Sequence, residues 1–440
     1  MFGYSFELAL HGLKRHPRTT VLAVLTMALG LASAMTTLTL LHMLSGDPLP
    51  GISQNLYLGW VDSREKPNVG ESDQANGAGI PHLMKLADTS ALVAAHHAKR
   101  QAMLTIFLQN VQTLDDKSQA NQIGLAATSE LFAIFGIPLR HGRSWTAQED
   151  AEHAPVVVIS AELSQKLFGT DDGVGRSLRI GGKLFRVIGI SAPWSPQPHF
   201  YGLEMWRFGG NSESLFLPVA ALLDAGLGPF TPGDCDRAAT TSFGKVDLEH
   251  CRWLSLWTQL DTPKQVRDYR LFLQAYARDE KAGGHFERAA TARLYSVPEW
   301  LSINYVVPDN VRLNVWLAAG FLLLCMVNVA GLLAARFLRR STEIGVRRSL
   351  GAPRQAIFTQ CVCEAGMVGL LGGALGLPLT VFGLWIVRLQ HLGYTDLAHL
   401  DSMMFTIMFV LALGVGMLIG LLPAWRACLV EPALQFRSAQ

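Results

Sequence analysis

The sequence predicts a membrane protein with four transmembrane α-helices and a large extracytoplasmic α+β domain of two lobes, inserted between helices 1 and 2. Three observations lead there. Half of the 440 residues are hydrophobic and 16% are charged, where typical soluble domains carry about 25% charged residues. Four stretches are long and apolar enough to cross a bilayer, which takes about 20 residues. Between the first and second lies a long run of ordinary mixed composition, enough for a folded domain. The net charge of +2 gives no support to a nucleic-acid binder or an acidic disordered tail.

Residues 1–20 read as an amphipathic helix on the inner membrane surface. Phe2, Phe6, Ala9, Leu10 and Leu13 recur at helical spacing ahead of Lys14, Arg15 and Arg18. Pro17 favours a break before the first span; a frayed extension of that span is the plainer reading. Span 1 covers 21–44. Its basic start and Ala32-Ser33-Ala34 also fit a cleavable signal peptide, but the apolar run continues about ten residues further, too long for an h-region, which favours retention.

The outer domain is expected over 45–312. Gln54–Val61 reads as a strand, Pro81–Ala87 as a short helix and Ala91–Leu108 as strand-like runs. Trp253–Leu260 reads as a strand; Asp261-Thr262-Pro263 then starts a helix, with an N-cap and proline at the first helical position, running to about Arg278. Thr291–Val297 is another strand. Strand–helix–strand order at both ends predicts a membrane-proximal lobe from about 50–118 and 253–305, with an inserted lobe at about 119–252. Within the insertion, Val156–Ser160 is a buried strand before a short helix to Phe168. Ser177–Ile190 is a hairpin closed by Gly181-Gly182, which tolerate the positive φ of a tight turn.

Span 2 is expected at 313–335, a cytoplasmic connection at 336–357, span 3 at 358–387, a short outer loop at 388–402, span 4 at 403–423 and a tail at 424–440. The connection carries Arg336, Arg339, Arg340, Arg347, Arg348 and Arg354, whereas the outer loop has only Arg388 beside Asp396 and Asp401. Basic residues stay on the inner side, so both termini and the connection are expected to be cytoplasmic and the large domain outside.

Glu343 and Arg347 are spaced as a helical ion pair, Gly351 suits a helix end and Pro353 the start of the next helix, which enters the membrane near Glu364. Two readings stay open: a docking lever for a partner, or a solvated connection whose arginines only set topology. Gly30/Ala34, Gly369/Gly373 and Gly372/Gly376 lie four apart, and small residues at that spacing let helices approach closely. They mark a subunit contact or the ordinary frequency of glycine in membrane helices. The spans hold almost no charge, with Asn328 isolated, which reads as a packed bundle rather than a hydrophilic channel.

Cys235 and Cys251 are a candidate disulfide. The alternative, a metal site with Asp234, Asp236 and His250, is a mixed set unlike tetrahedral zinc patterns, and no metal is assigned. Cys361-Val-Cys363 is not a redox motif. Gly169–Ser177 (GTDDGVGRS) fails as a phosphate loop, since Arg176 stands where lysine is needed. No catalytic residue and no bound cofactor is assigned to the chain.

"EIGVRRSLGAPRQAI" with "EAGMVGLLGGALG" behind it resembles the signature of the MacB/FtsX-like permeases of ABC transporters. Glu343, Ile344, Gly345, Arg347, Leu350, Gly351, Ala352 and Glu364 match the family pattern, while Ser349 replaces a usual alanine. "PAWRACLVEPALQFR" is similar to the closing motif, with Phe436 departing from leucine, and "ELALHGLKRHPRTTVL" to the N-terminus. "SELFAIFGIPLRHGRSW", "PVVVISAELSQKLFG" and "VGRSLRIGGKLFRVIGI" resemble the MacB-type periplasmic core. The likeness covers nearly the whole chain and is weakest from about Pro193 to Cys251.

The resemblance implies a bacterial inner-membrane permease that dimerises with a second copy or a paralogue. It also implies a separate ABC ATPase dimer carrying ATP and Mg. Residues of the connection (Glu343, Ile344, Gly345, Arg347, Arg348, Leu350, Gly351, Ala352 and Arg354) would couple to that ATPase. ATP-driven motion would pass to the outer domain, for efflux or secretion of a peptide, antibiotic or similar molecule. A periplasmic adaptor and an outer-membrane exit duct are partners of some members. The alternatives are a signalling permease that activates a periplasmic partner, a lipoprotein-releasing permease, and a membrane-anchored extracytoplasmic enzyme.

Overall fold

The computed structural model describes residues 17–66, 82–115, 117–203, 213–230, 233–240, 247–307, 309–339, 346, 353–389 and 402–429. Most of the expected amphipathic helix at 1–20 and the greater part of the arginine-rich connection lie outside these residues. The chain divides into two units, Gly46–Val306 and the segments before and after it.

Among the described residues the first helix is α1 (Pro17–Leu44). The inserted unit follows with a 3-10 turn (Ser53–Asn55), β1 (Leu56–Val61), α2 (Leu86–Ala94), β2 (Arg100–Thr113), β3 (Ser118–Ala127), α3 (Leu131–Phe135), β4 (Leu139–Gly142) and α4 (Ala147–Ala151). Next come β5 (Val156–Ser160), α5 (Ala161–Phe168), β6 (Ser177–Ile180), β7 (Lys183–Ser191), β8 (Leu215–Pro218) and α6 (Val219–Asp224). The unit closes with β9 (Ser255–Gln259), α7 (Pro263–Ala282), β10 (Ala292–Ser296) and α8 (Val297–Ile303).

These strands form one ten-stranded sheet in the order β10-β1-β9-β2-β3-β8-β5-β7-β4, with β6 pairing β2 and β7 off that path. β3 with β8 and β5 with β7 are parallel; the other pairings are antiparallel. The two expected lobes therefore share a sheet. β2 pairs β9 through 100–104 and β3 through 104–112, so the ladder crosses the expected boundary at residue 118, with one register shift between Gln109 and Val111.

Local chemistry accounts for the best-defined elements. Thr262 accepts from the Gln265 N–H while the Gln265 side chain returns to the Thr262 N–H, and Pro263 takes the first helical position of α7. Tyr269, Leu273 and Ala277 recur every four residues and are buried. They pack with Leu294 of β10 and Trp60 of β1, and burying each large side chain contributes about 1.5–3 kcal/mol. The helix runs past Arg278 because no helix breaker occurs before Gly283. β6 and β7 turn through Gly181 (φ +56°) and Gly182 (φ +87°), a conformation glycine takes without a Cβ clash.

The stretch 81–108 differs from expectation. Residues before α2 are extended, and Met84 forms an isolated bridge with Leu254, its N–H donating to the Leu254 carbonyl at 2.8 Å. The helix begins only at Leu86 and runs through Ala94, where the sequence reads as strand-like from Ala91. Leu92 turns into the core beside Tyr269, and Thr89 Oγ1 donates back to the Lys85 carbonyl at 2.8 Å; these tertiary contacts outweigh a weak local preference.

The other unit comprises α1, α9 (Asp309–Arg339), α10 (Arg354–Arg388) and α11 (Ser402–Leu429). All four are long and apolar enough to cross a membrane. Met27, Leu31, Val329, Leu333, Phe337, Val368, Ala412 and Val415 form its core, while Trp316, Leu324 and Val410 point outward, as lipid-facing side chains do. The helices overrun the expected spans: 336–339 and 354–357 are helical, which shortens the connection to 340–353. Pro378 lies inside α10, near Phe382 and Trp385.

Candidate functional site

The expected coupling residues Glu343, Ile344, Gly345, Arg347, Arg348, Leu350, Gly351 and Ala352 lie outside the described residues. Arg354 is exposed at the first position of α10, just after Pro353, its N-cap. The structure does describe the helices on either side of this connection. Arg336, in the last turn of α9, places Nη2 3.2 Å from Glu364 Oε1 of α10, and the two side chains are 5% and 2% exposed. Arg336 Nη1 also donates to Thr20 Oγ1 of α1 at 3.2 Å. Three helices thus meet at one buried charge pair. In an apolar surrounding such a pair persists only when each charge is matched, and ionisable groups within spans mark functional positions.

Sequence reasoning gave Arg336 a topological role only. It found Glu364 as a family match, and missed that the two are partners. Their separation along the chain follows no helical spacing; α9 and α10 each pack against α1 and α11, and that shared packing brings the two side chains together.

The small residues sit on helix contacts within one chain. A Cβ on Gly30 would meet Cys325 Cβ of α9 at 3.0 Å. On Gly372 it would meet Met27 Cβ of α1 at 2.6 Å, and on Gly376 the Ala28 carbonyl of α1 at 3.3 Å. Gly369 and Gly373 face α11 instead, where a Cβ would reach Gly416 Cα at 2.7 Å and Ala412 Cβ at 2.6 Å. On α10, Gly372 therefore faces α1, Gly369 and Gly373 face α11, and Gly376 lies between the two, with Met408 Cε of α11 at 3.1 Å from its would-be Cβ; Ala34 is buried in the same bundle. Gly416, which the sequence reading did not single out, completes the α10–α11 contact.

In the inserted unit Cys235 and Cys251 are joined as a disulfide. Asp236 beside it pairs with Lys85 and with Arg252, whose Nη2 lies 2.7 Å from Oδ1; Arg252 is buried and also donates to the Ser63 carbonyl. The carboxylate offered as a metal ligand is thus held by two cations, which keep it below the usual carboxylate range despite partial burial. A second buried polar group joins His199, Tyr201 and Glu213. The Tyr201 hydroxyl donates to Glu213 Oε1 at 2.6 Å and lies 3.2 Å from His199 Nδ1. Burial raises the Glu213 carboxyl to about 7, against a smaller lowering by the Tyr201 hydrogen bond. It pushes the Tyr201 hydroxyl well above its ordinary value, with the Glu213 charge adding to the effect.

Comparison with known proteins matches residues 20–234 to the MacB-like periplasmic core domain and residues 315–432 to the FtsX-like permease C-terminal. Macrolide export ATP-binding/permease protein MacB 2 of Aeromonas hydrophila is 21% identical over 97% of this chain and 59% of its own length. Macrolide export ATP-binding/permease protein MacB of Wolinella succinogenes is 23% identical over 99% of this chain and 60% of its own. The chain thus spans about three fifths of the length of these curated relatives. A crystal structure of the periplasmic region of MacB from Actinobacillus actinomycetemcomitans aligns with 57% of this chain and 92% of that one, at 14% identity and a TM-score of 0.36. A core-domain match over residues 20–234, followed by a permease match over residues 315–432, places this chain in the MacB/FtsX-like permease family.

Proposed function

We propose that this chain is the permease subunit of an ABC transporter and that it converts ATP hydrolysis on a partner ATPase dimer into movement of its periplasmic domain. ATP and Mg²⁺ belong to that partner. This chain supplies the lever: Glu343, Ile344, Gly345, Arg347, Arg348, Leu350, Gly351, Ala352 and Arg354 form the surface on which the ATPase pushes. The arginine distribution supports cytoplasmic termini and a cytoplasmic connection, with Gly46–Val306 on the periplasmic side of a bacterial inner membrane. Two permeases, identical or paralogous, assemble with two ATPases.

The observation that carries the reading is the buried Arg336–Glu364–Thr20 clasp. It flanks the lever on both sides and ties it to α1, so a push on the connection is delivered into three helices rather than absorbed by a slack loop. The curated relatives are named for macrolide export. Carried to this chain, that favours an antibiotic, a peptide or a similar molecule taken from the periplasm through an adaptor and an outer-membrane duct. A signalling or lipoprotein-releasing role is the second reading. It is favoured by the use of Arg336 and Glu364 in pairing between helices rather than in lining a polar path.

The test is affinity purification of the tagged chain from its native membranes with mass spectrometry for an ABC ATPase. Glu343→Lys and Gly351→Pro are expected to insert normally and lose the ATPase; full assembly and activity in both would overturn the lever. Retained export of every candidate substrate after deletion would favour the signalling reading.

A further inference from the structure

We infer that the outer edge of β10 is a docking site for an extended, carboxylate-bearing peptide segment of a partner protein, which adds to the sheet as an eleventh strand.

β10 ends the ten-stranded sheet, with β1 on one side only. The register pairs Trp60 with Arg293 and Leu58 with Tyr295, and the Asp62 N–H donates to the Thr291 carbonyl at 2.9 Å. In an antiparallel ladder alternate residues exchange both bonds with the neighbour, so Thr291, Arg293 and Tyr295 turn their backbone groups toward β1. Ala292 and Leu294 turn theirs outward, and no backbone partner among the described residues takes them. An edge with free donors and acceptors is the template for strand addition.

This edge lies at the floor of a cleft of about 420 Å³, lined by Arg270 and Gln274 of α7, Ala292–Tyr295, and Glu299 and Ile303 of α8. The two helices stand on opposite faces of the sheet. Leu294 packs into the α7 core, whereas Tyr295 meets Trp300 of α8 with ring centroids 5.8 Å apart. An added strand would therefore be walled on both faces, as a peptide in a groove is. The walls differ in charge. On the α8 side Arg293 and Glu299 carry opposite charges beside Tyr295. On the α7 side the lining residues are exposed Arg270 and neutral Gln274, while the acidic lining residue, Glu299, belongs to α8. That asymmetry selects an acidic side chain on one face of the guest strand. The seat is also close in sequence to the membrane segment: α8 ends at Ile303 and α9 starts at Asp309.

The test uses the full chain in lipid nanodiscs and two fluorescein-labelled octapeptides, one alternating Glu and Val, the other Lys and Val, read by fluorescence polarisation. The Glu peptide is expected to bind and the Lys peptide not. Ala292→Pro removes an outward N–H without breaking the ladder to β1, and is expected to abolish binding at unchanged melting temperature. Arg270→Glu, a surface change that keeps the fold intact if the proline variant does not, is expected to weaken binding at least tenfold. Equal binding of both peptides, no binding of either, or full binding by Arg270→Glu would overturn the proposal. So would concentration-dependent self-association lost in Ala292→Pro, which would give the edge to a second copy of this chain.

Discussion

Arg336 and Glu364 face each other across α9 and α10 at 3.2 Å, nearly without solvent. Removing one member of a buried ion pair strands the other and costs about 3–5 kcal/mol. Arg336→Ala and Glu364→Ala are therefore each expected to lower the melting temperature of the purified chain in detergent, followed by tryptophan fluorescence. The apolar double variant Arg336→Met/Glu364→Leu is expected to recover most of that loss. Additive losses in the double variant would show that the two side chains act independently.

Gly372 and Gly369 allow α10 to lie against α1 and α11. Leucine at either position forces the backbones apart, and over-packing costs about 1–3 kcal/mol. Because these contacts fall within one chain, the melting temperature is expected to drop by the same amount at every protein concentration. A loss that grows on dilution would assign the glycines to a subunit contact instead.

The Cys235–Cys251 bridge closes a loop over a sequence separation of 16. Loops of that length gain about 3 kcal/mol from cross-linking, through fewer unfolded conformations. Cys251→Ser, or dithiothreitol on the unmodified chain, is expected to lower the denaturant midpoint of the inserted unit. Coincident unfolding curves with and without reductant would remove the bridge from the account.

Glu213 titrates near 7 when folded and near 4.5 when unfolded. Between those values the folded chain keeps a proton that the unfolded chain has released. Stability is thus fully present below pH 4.5 and falls as pH rises through 7. Glu213→Gln keeps an acceptor for the Tyr201 hydroxyl and removes the charge, so the variant is expected to lose that slope. Urea midpoints at pH 5 and pH 8 measure it; an unchanged slope would mean that other groups carry it.

Much of this fold is legible in the sequence where local chemistry decides it. Thr262-Pro263 fixes the start of α7, Gly181-Gly182 the β6–β7 turn, and the four apolar runs the membrane helices. What long-range pairing decides is not legible. β8 sits between β3 and β5 although its sequence lies in the proline- and glycine-rich stretch where family likeness fades, because Leu215–Pro218 needs only a register with β3 and β5. The last turn of α2 falls in a run that reads as strand-like from Ala91, because Leu92 has a core position to fill. Of the coupling region, the sequence names the motif between Glu343 and Arg354, and the structure adds the clasp beside it, which rests on a meeting of three distant segments.

Strand β2 has a further mechanical meaning. Fourteen residues long, it is hydrogen-bonded to β9 near its start, to β3 along its length and to β6 at its end, with a single irregularity between Gln109 and Val111. A spar shared in this way leaves the insertion no independent swivel. Any displacement entering through β9 must travel as one stiff plate, or bend at that notch.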